Sequence, residues 1–195
     1  PGATSLEGFL FPATYALDPG LTAHQILQIM VDEMSTRLDT AGVAQEDRVR
    51  VLTIASLIQR EAGRNADDFY KVSRVIQNRL DAGMLLQFDS TAHYGYEWAH
   101  GERVEGGVFS TSEELADDNP YNTYVHTGLP IGPIGAPGDL AIDAALHPAD
   151  GPWLYFVTVN LDTGETKFTS TIAEHNAAVQ ELRDWCRATK SPNCD

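Results

Sequence analysis

Of the acidic side chains in this sequence, Glu61 has the least ordinary setting. It lies in the last turn of residues 51–63 (VLTIASLIQREAG), a run that is apolar on nearly all sides, too long for a typical strand and stopped by Gly63. Such a run reads as a buried helix. At about 100° per residue, Glu61 falls roughly 20° from Ile54 and roughly 40° from Leu57 around the axis. Its carboxyl therefore leaves the helix on the apolar side. A carboxyl held among apolar groups resists ionisation and keeps its proton towards neutral pH, as a general acid must. The competing reading is a frayed last turn in which Glu61 turns to water or pairs with Arg60 or Arg64.

A second set of residues suits ligand recognition. Gln87, Asp89, Tyr94, Asn122 and Tyr124 alternate hydrogen-bond donors and acceptors with aromatic faces. That mixture fits a sugar, whose hydroxyls take hydrogen bonds and whose ring faces stack on aromatics. Loop scaffolding is the equal alternative, with Asp89 and Asn122 bonding nearby backbone. Other chemistries find little support. None of the six histidines (His24, His93, His100, His126, His147, His175) stands four residues from another, so no pair shares a helix face as metal ligands do. There is no Gly-x-Ser-x-Gly elbow, phosphate loop or dinucleotide fingerprint. Neither a metal nor an organic cofactor is expected.

The elements that must position these residues follow from periodicity and punctuation. Residues 6–17 mix aromatics with Gly8 and Pro12 and suit an extended edge segment. Thr22 caps a helix carrying Ile26, Leu27, Met30, Val31 and Met34, which runs to about Asp39. The helix ending in Glu61 starts near Glu46 and Asp47, and a third runs from about Asp67 to Leu80. Together they form a helical block over about 22–82. Ser90 caps a brief helix through Tyr94, and residues 95–110, with their scattered glycines, read as a loop or loose hairpin. Residues 120–138 (PYNTYVHTGLPIGPIGAPG) hold too much Pro and Gly for regular structure. They predict an irregular but fixed path, the kind of long loop that carries function. A short helix over 140–146, a strand over 153–159, a turn, a hairpin partner over 165–169 and a last helix capped by Thr171 complete the chain. The class is α+β, with a small antiparallel sheet beside segregated helices, in a single domain over residues 1–195.

The net charge of −15, with Lys and Arg unclustered, excludes a nucleic-acid face and disfavours an anionic membrane surface. No apolar run approaches the roughly 20 residues of a membrane span, and no signal peptide is recognisable. The chain opens on Pro1-Gly2-Ala3-Thr4-Ser5 without an initiator Met and reads as a piece of a longer protein. Cys186 and Cys194 lie in a polar tail. They form either a short disulfide, which implies export, or two free thiols.

Several short stretches, taken in order, resemble the catalytic domain of the membrane-anchored endolytic murein transglycosylases. They are Leu6-Glu7-Gly8-Phe9-Leu10-Phe11-Pro12-x-Thr14-Tyr15, Ala55-Ser56-Leu57-Ile58-x-x-Glu61, Asn78-Arg79-Leu80, and Gly83-Met84-x-Leu86-Gln87. Asp89-x-Thr91, Tyr121-Asn122-Thr123-Tyr124, Gly128-Leu129-Pro130-x-Gly132-Pro133-Ile134, Leu154-Tyr155-Phe156-Val157 and His175-Asn176 follow. The resemblance spans nearly the whole chain. It departs from the family pattern at Ser90 and Ile131, where Pro is usual, and at Phe88, where Thr or a small residue is common.

The resemblance implies peptidoglycan as substrate, cleaved within the glycan strand between N-acetylmuramic acid and N-acetylglucosamine, with Glu61 as the catalytic residue. Gln87, Asp89, Thr91, Tyr94, Asn122, Tyr124 and Glu7 become the expected sugar contacts. It also implies an N-terminal membrane anchor and often a LysM-like module upstream of this piece. Action at the extracytoplasmic face of the bacterial membrane and coupling to peptidoglycan synthases follow from the same resemblance. A non-catalytic wall-binding or scaffold domain is the rival reading, since it needs the aromatics and polar loops as much but not Glu61. A metal hydrolase is the third.

Overall fold

A computed structural model of the chain describes residues 5–101, 110–191 and 194. Its helices are α1 (Ala23–Thr40), α2 (Arg48–Glu61), α3 (Ala66–Asp81), α4 (Asp89–His100), α5 (Ser112–Ala116), α6 (Asp139–Leu146) and α7 (Ile172–Thr189), with strands β1 (Tyr155–Asn160) and β2 (Glu165–Thr169). The fold is α+β, as expected.

Helix α2 is the centre. Leu52, Ala55, Leu57 and Ile58 are fully enclosed, and α6, α3 and α4 pack around them. A helix apolar on most sides has to be surrounded in this way. Met34 and Leu38 of α1, Val72 and Ile76 of α3, and Ile142 of α6 complete the core. The predicted caps at Thr22 and Thr171 are present as reciprocal capping boxes with Gln25 and Glu174.

Strands β1 and β2 pair antiparallel, with Tyr155 opposite Thr169, Phe156 opposite Phe168 and an irregularity between Thr158 and Asn160. The first strand begins two residues later than the apolar run suggests. Helix α7 packs on β1. Its end is closed by a Cys186–Cys194 disulfide.

The Pro/Gly loop takes one defined course because polar side chains and backbone groups tie it down. Ser56 Oγ, itself enclosed in α2, accepts from Ile134 N at 3.0 Å, and Gln59 Oε1 accepts from Gly138 N at 3.1 Å. At the other end Thr123 Oγ1 accepts from Phe88 N at 3.0 Å, and Gln87 N donates to Thr123 O at 3.1 Å. The edge segment seats on the same loop. Gly8 has φ +80°, and a Cβ there would lie 2.5 Å from Pro133, so both conformation and space require glycine.

Two expectations about α4 fail. Ser90 does not cap it: the helix starts at Asp89 with Phe88 as the N-cap residue, and Ser90, inside the first turn, turns its hydroxyl to Glu61. Residues 95–100, read as loop, continue α4 to His100, and left-handed Gly101 (φ +79°) ends it. Gly95 is not a breaker but a contact point: a Cβ there would meet Asn119 Oδ1 at 2.0 Å. The remainder of the predicted loop, 102–109, lies outside the described residues. No helix among the described residues is long and apolar enough to cross a membrane.

Candidate active site

The last turn of α2 points at the first turn of α4. Ser90 Oγ donates to Glu61 Oε1 at 2.5 Å. Glu61 therefore neither frays into water nor forms an ion pair among the described residues, and the nearby Arg64 guanidinium instead donates to Asp162 O. The first turn of a helix presents free backbone N–H groups and a positive dipole end, which favour an anion. Burial acts the other way and dominates, raising the Glu61 pKa above the ordinary carboxylate value. The Ser90 side-chain hydrogen bond lowers it, the neighbouring Asp89 charge raises it, and the Ser90 backbone and Arg60 lower it by less. The net direction is upward, as the apolar helix side predicts.

Glu61 and Asp89 border two cavities at once. The first, of about 370 Å³, is walled by Arg79, Gln87, Tyr124, Tyr155, Phe156 and His175 among others. The second, of about 550 Å³, is walled by Gln59, Arg60, Ser90, His93, Tyr94 and Glu97. The carboxyl thus stands at a junction with open space on both sides. Each flanking space is within the size range of sites that hold small organic groups. This geometry suits a chain that passes over Glu61 and is cut within its length.

The predicted contact residues divide into three groups. Gln87, Asp89 and Tyr124 meet in the first cavity, where Tyr124 Oη donates to Asp89 Oδ1. Burial and that carboxylate push the Tyr124 pKa up, so its phenol stays a donor. Gln87 holds a left-handed backbone (φ +49°), a conformation that non-glycine residues adopt at a cost and that clusters at functional sites. Tyr94 and Glu7 lie on the other side of the junction, with Tyr94 Oη donating to Glu7 Oε2 at 3.4 Å.

Thr91 and Asn122 correct the expectation of direct sugar contact, since both are fully enclosed. Asn122 Nδ2 donates to the carbonyls of Glu114, Leu115 and Asp117, and its Oδ1 accepts from Tyr124 N. Thr91 Oγ1 is held between Phe88 O and Thr123 Oγ1. With polar atoms spent on scaffold, they place Asp89 and Tyr124 instead of touching a ligand.

Arg79 and His175 carry no role in the sequence reading beyond membership of matching motifs. Arg79 Nε donates to Leu154 O at 2.6 Å and Nη1 to Leu86 O at 2.6 Å, and its guanidinium lies over the Tyr155 ring. Burial lowers its pKa, while Tyr155, Tyr124 and Glu61 oppose that. The His175 ring stacks on Tyr155 at 5.3 Å, and its pKa is lowered by burial and by Arg79, so it is neutral near pH 7. Its buried Nδ1 has no hydrogen-bond partner among the described residues. A usable signal was present for Arg79: it sits three residues after Ile76 and seven after Val72, an arginine on an apolar helical stripe.

The chain is similar to several known proteins. A Bacillus subtilis protein named endolytic murein transglycosylase is 39% identical over 181 residues, which cover 90% of this chain and 48% of that protein. A Streptococcus pneumoniae protein of the same name is 30% identical over 188 residues, 90% of this chain and 32% of its own length. The chain thus spans about half or less of these relatives. A solved structure of a yceG-like protein from Listeria monocytogenes superposes with a TM-score of 0.73 at 36% identity, covering 88% of this chain and 55% of that one. The sequence profile of the YceG-like family matches residues 2–181, and the chain belongs to that family.

Proposed function

We propose that this chain is the catalytic unit of an endolytic murein transglycosylase, cleaving peptidoglycan glycan between N-acetylmuramic acid and N-acetylglucosamine without water. One observation carries the reading: a carboxyl with a raised pKa stands where two cavities join. The names of its relatives point the same way.

In this mechanism protonated Glu61 donates its proton to the bridging oxygen as the bond from the anomeric carbon breaks. The resulting carboxylate then takes the proton of the 6-hydroxyl on the same sugar as that oxygen attacks the anomeric carbon. A 1,6-anhydro ring closes, the leaving strand keeps the first proton, and Glu61 ends protonated as it began. One residue serves as acid and then as base, which requires a pKa near the working pH. Gln87, Asp89 and Tyr124 orient the sugar in the first cavity, and Tyr94 meets the strand on the other side. Arg79 supports the wall of the first cavity. Its spent Nε and Nη1 hold the backbone of residues 86 and 154 in place.

The disulfide favours an oxidising compartment, which agrees with action at the extracytoplasmic face.

The test is Glu61→Gln, with products from defined glycan strands read by mass spectrometry. The wild-type chain is expected to release anhydro-terminated fragments, and the folded variant to release none. Retained cleavage by the variant removes Glu61 from the chemistry. Reducing-end products from the wild type make the enzyme a hydrolase, which generally uses two carboxyls, and Asp89 then becomes the second. Binding without turnover in both proteins leaves a wall-binding domain.

A further inference from the structure

Helix α4 carries Ser90, Tyr94 and Trp98 at intervals of four, so they lie along one side of it. Ser90 holds Glu61. Tyr94 borders both the second cavity and a third, of about 370 Å³, walled by Ser5, Glu7, Tyr94, Trp98, Tyr121 and Ile131. Trp98 stands roughly 12 Å along the axis from Ser90 at 1.5 Å per residue.

Trp98 is 55% exposed and Ile131 59% exposed, unusual for large apolar groups that are also held in place. Trp98 sits edge-on to Tyr121 at 5.5 Å, and Tyr121 edge-on to Tyr94 at 4.9 Å. The three rings brace one another, and Glu7 adds a carboxylate beside them, fixed by Tyr94 Oη. A rigid aromatic face beside a carboxylate acceptor matches a pyranose ring, with its apolar C–H face and its hydroxyl donors.

We infer that the Trp98–Tyr94–Tyr121 cluster with Glu7 is a distal saccharide subsite, taking a further sugar ring of the same glycan strand a few units from the bond at Glu61. Continuity through Tyr94 assigns it to the strand that crosses Glu61 and not to an unrelated partner. The inference rests on the reading of the chain as a glycan-cleaving enzyme, and it adds a length dependence. Strands long enough to reach Trp98 gain a contact that short ones lack.

The test uses Glu61→Gln, to prevent turnover, and titrates peptidoglycan oligosaccharides of graded length by calorimetry. The Kd is expected to fall when the strand becomes long enough to span from Glu61 to Trp98. Adding Trp98→Ala is expected to remove that fall, a loss of up to about tenfold, as an aromatic stacking contact provides. Trp98→Phe, which keeps a smaller ring, is expected to retain part of it. Equal effects on short and long strands, no effect on either, or no binding at any length overturns the subsite. Wild-type product analysis separates the two claims. Absence of anhydro ends strikes the catalytic reading alone, whereas a missing length step strikes the subsite alone.

Discussion

Gly95 offers a test in which local preference and tertiary structure predict opposite signs. Alanine in place of an interior helical glycine ordinarily stabilises by about 1 kcal/mol. Here the added Cβ would lie 2.0 Å from Asn119 Oδ1, 2.6 Å from its Cγ and 2.8 Å from its Nδ2. A flexible surface side chain would swing away. Asn119 is buried, and its amide is engaged at both ends: Nδ2 donates to Asp117 Oδ1 at 2.6 Å and Oδ1 accepts from Tyr121 N at 3.0 Å. Relief requires breaking those bonds, at about 1 kcal/mol each, or displacing α4, with an overpacking cost of about 1–3 kcal/mol.

Set against the propensity gain, Gly95→Ala is expected to lose about 1 kcal/mol, or about 2–4 °C in Tm for a chain of this size. Urea and thermal unfolding measure it directly. In an Asn119→Ala background the obstruction is gone, and the same substitution is expected to be neutral or stabilising, so a double-mutant cycle isolates the contact. A Gly95→Ala chain more stable than wild type, or an unchanged cost in the Asn119→Ala background, refutes the assignment of Gly95 to close packing. Because α4 also carries Ser90, the variant is further expected to lose activity while still folded.

Two pH predictions follow from Glu61. Ser90 Oγ stabilises the charged carboxylate, so Ser90→Ala is expected to raise the Glu61 pKa further and move the alkaline limit of kcat/KM to higher pH; an unmoved or lowered limit would show that this hydrogen bond does not tune the acid. Burial also makes the folded chain hold the Glu61 proton more tightly than the unfolded one, so between the ordinary value of about 4.5 and the raised folded value stability falls as pH rises. Glu61→Gln removes that penalty: its stability advantage over wild type, read from urea midpoints, is expected to be larger at mildly alkaline pH than at pH 4.5 and below, and a pH-independent difference contradicts the raised pKa.

What the sequence shows of this site is what periodicity carries. The apolar side of α2 is visible because consecutive residues report it, and the Pro/Gly loop because those residue types forbid regular structure. Gly95 misleads because its reason is Asn119, 24 positions away, and no local rule separates a packing glycine from a breaking one. Residue type marks Asn122, and the family resemblance Thr91, as sugar contacts, although full enclosure makes them scaffold. Arg79 shows only its place on an apolar stripe, and His175 shows nothing, because their relation to Glu61 exists only once α3, β1 and α7 are assembled.

The pairing of Glu61 with Ser90 is the most consequential of these long-range facts, since it sets two opposing influences on one carboxyl. Burial alone would keep the proton and make Glu61 an acid too reluctant to release it. The first turn of α4 alone would hold a carboxylate with no proton to give. A residue that must donate a proton and take another within one turnover needs both states within reach. The enclosed end of α2 favours the first, and the hydroxyl and free N–H groups at the start of α4 favour the second. The same helix extends past Tyr94 to Trp98, so the element that balances the acid also lays out the surface along which a strand would lie.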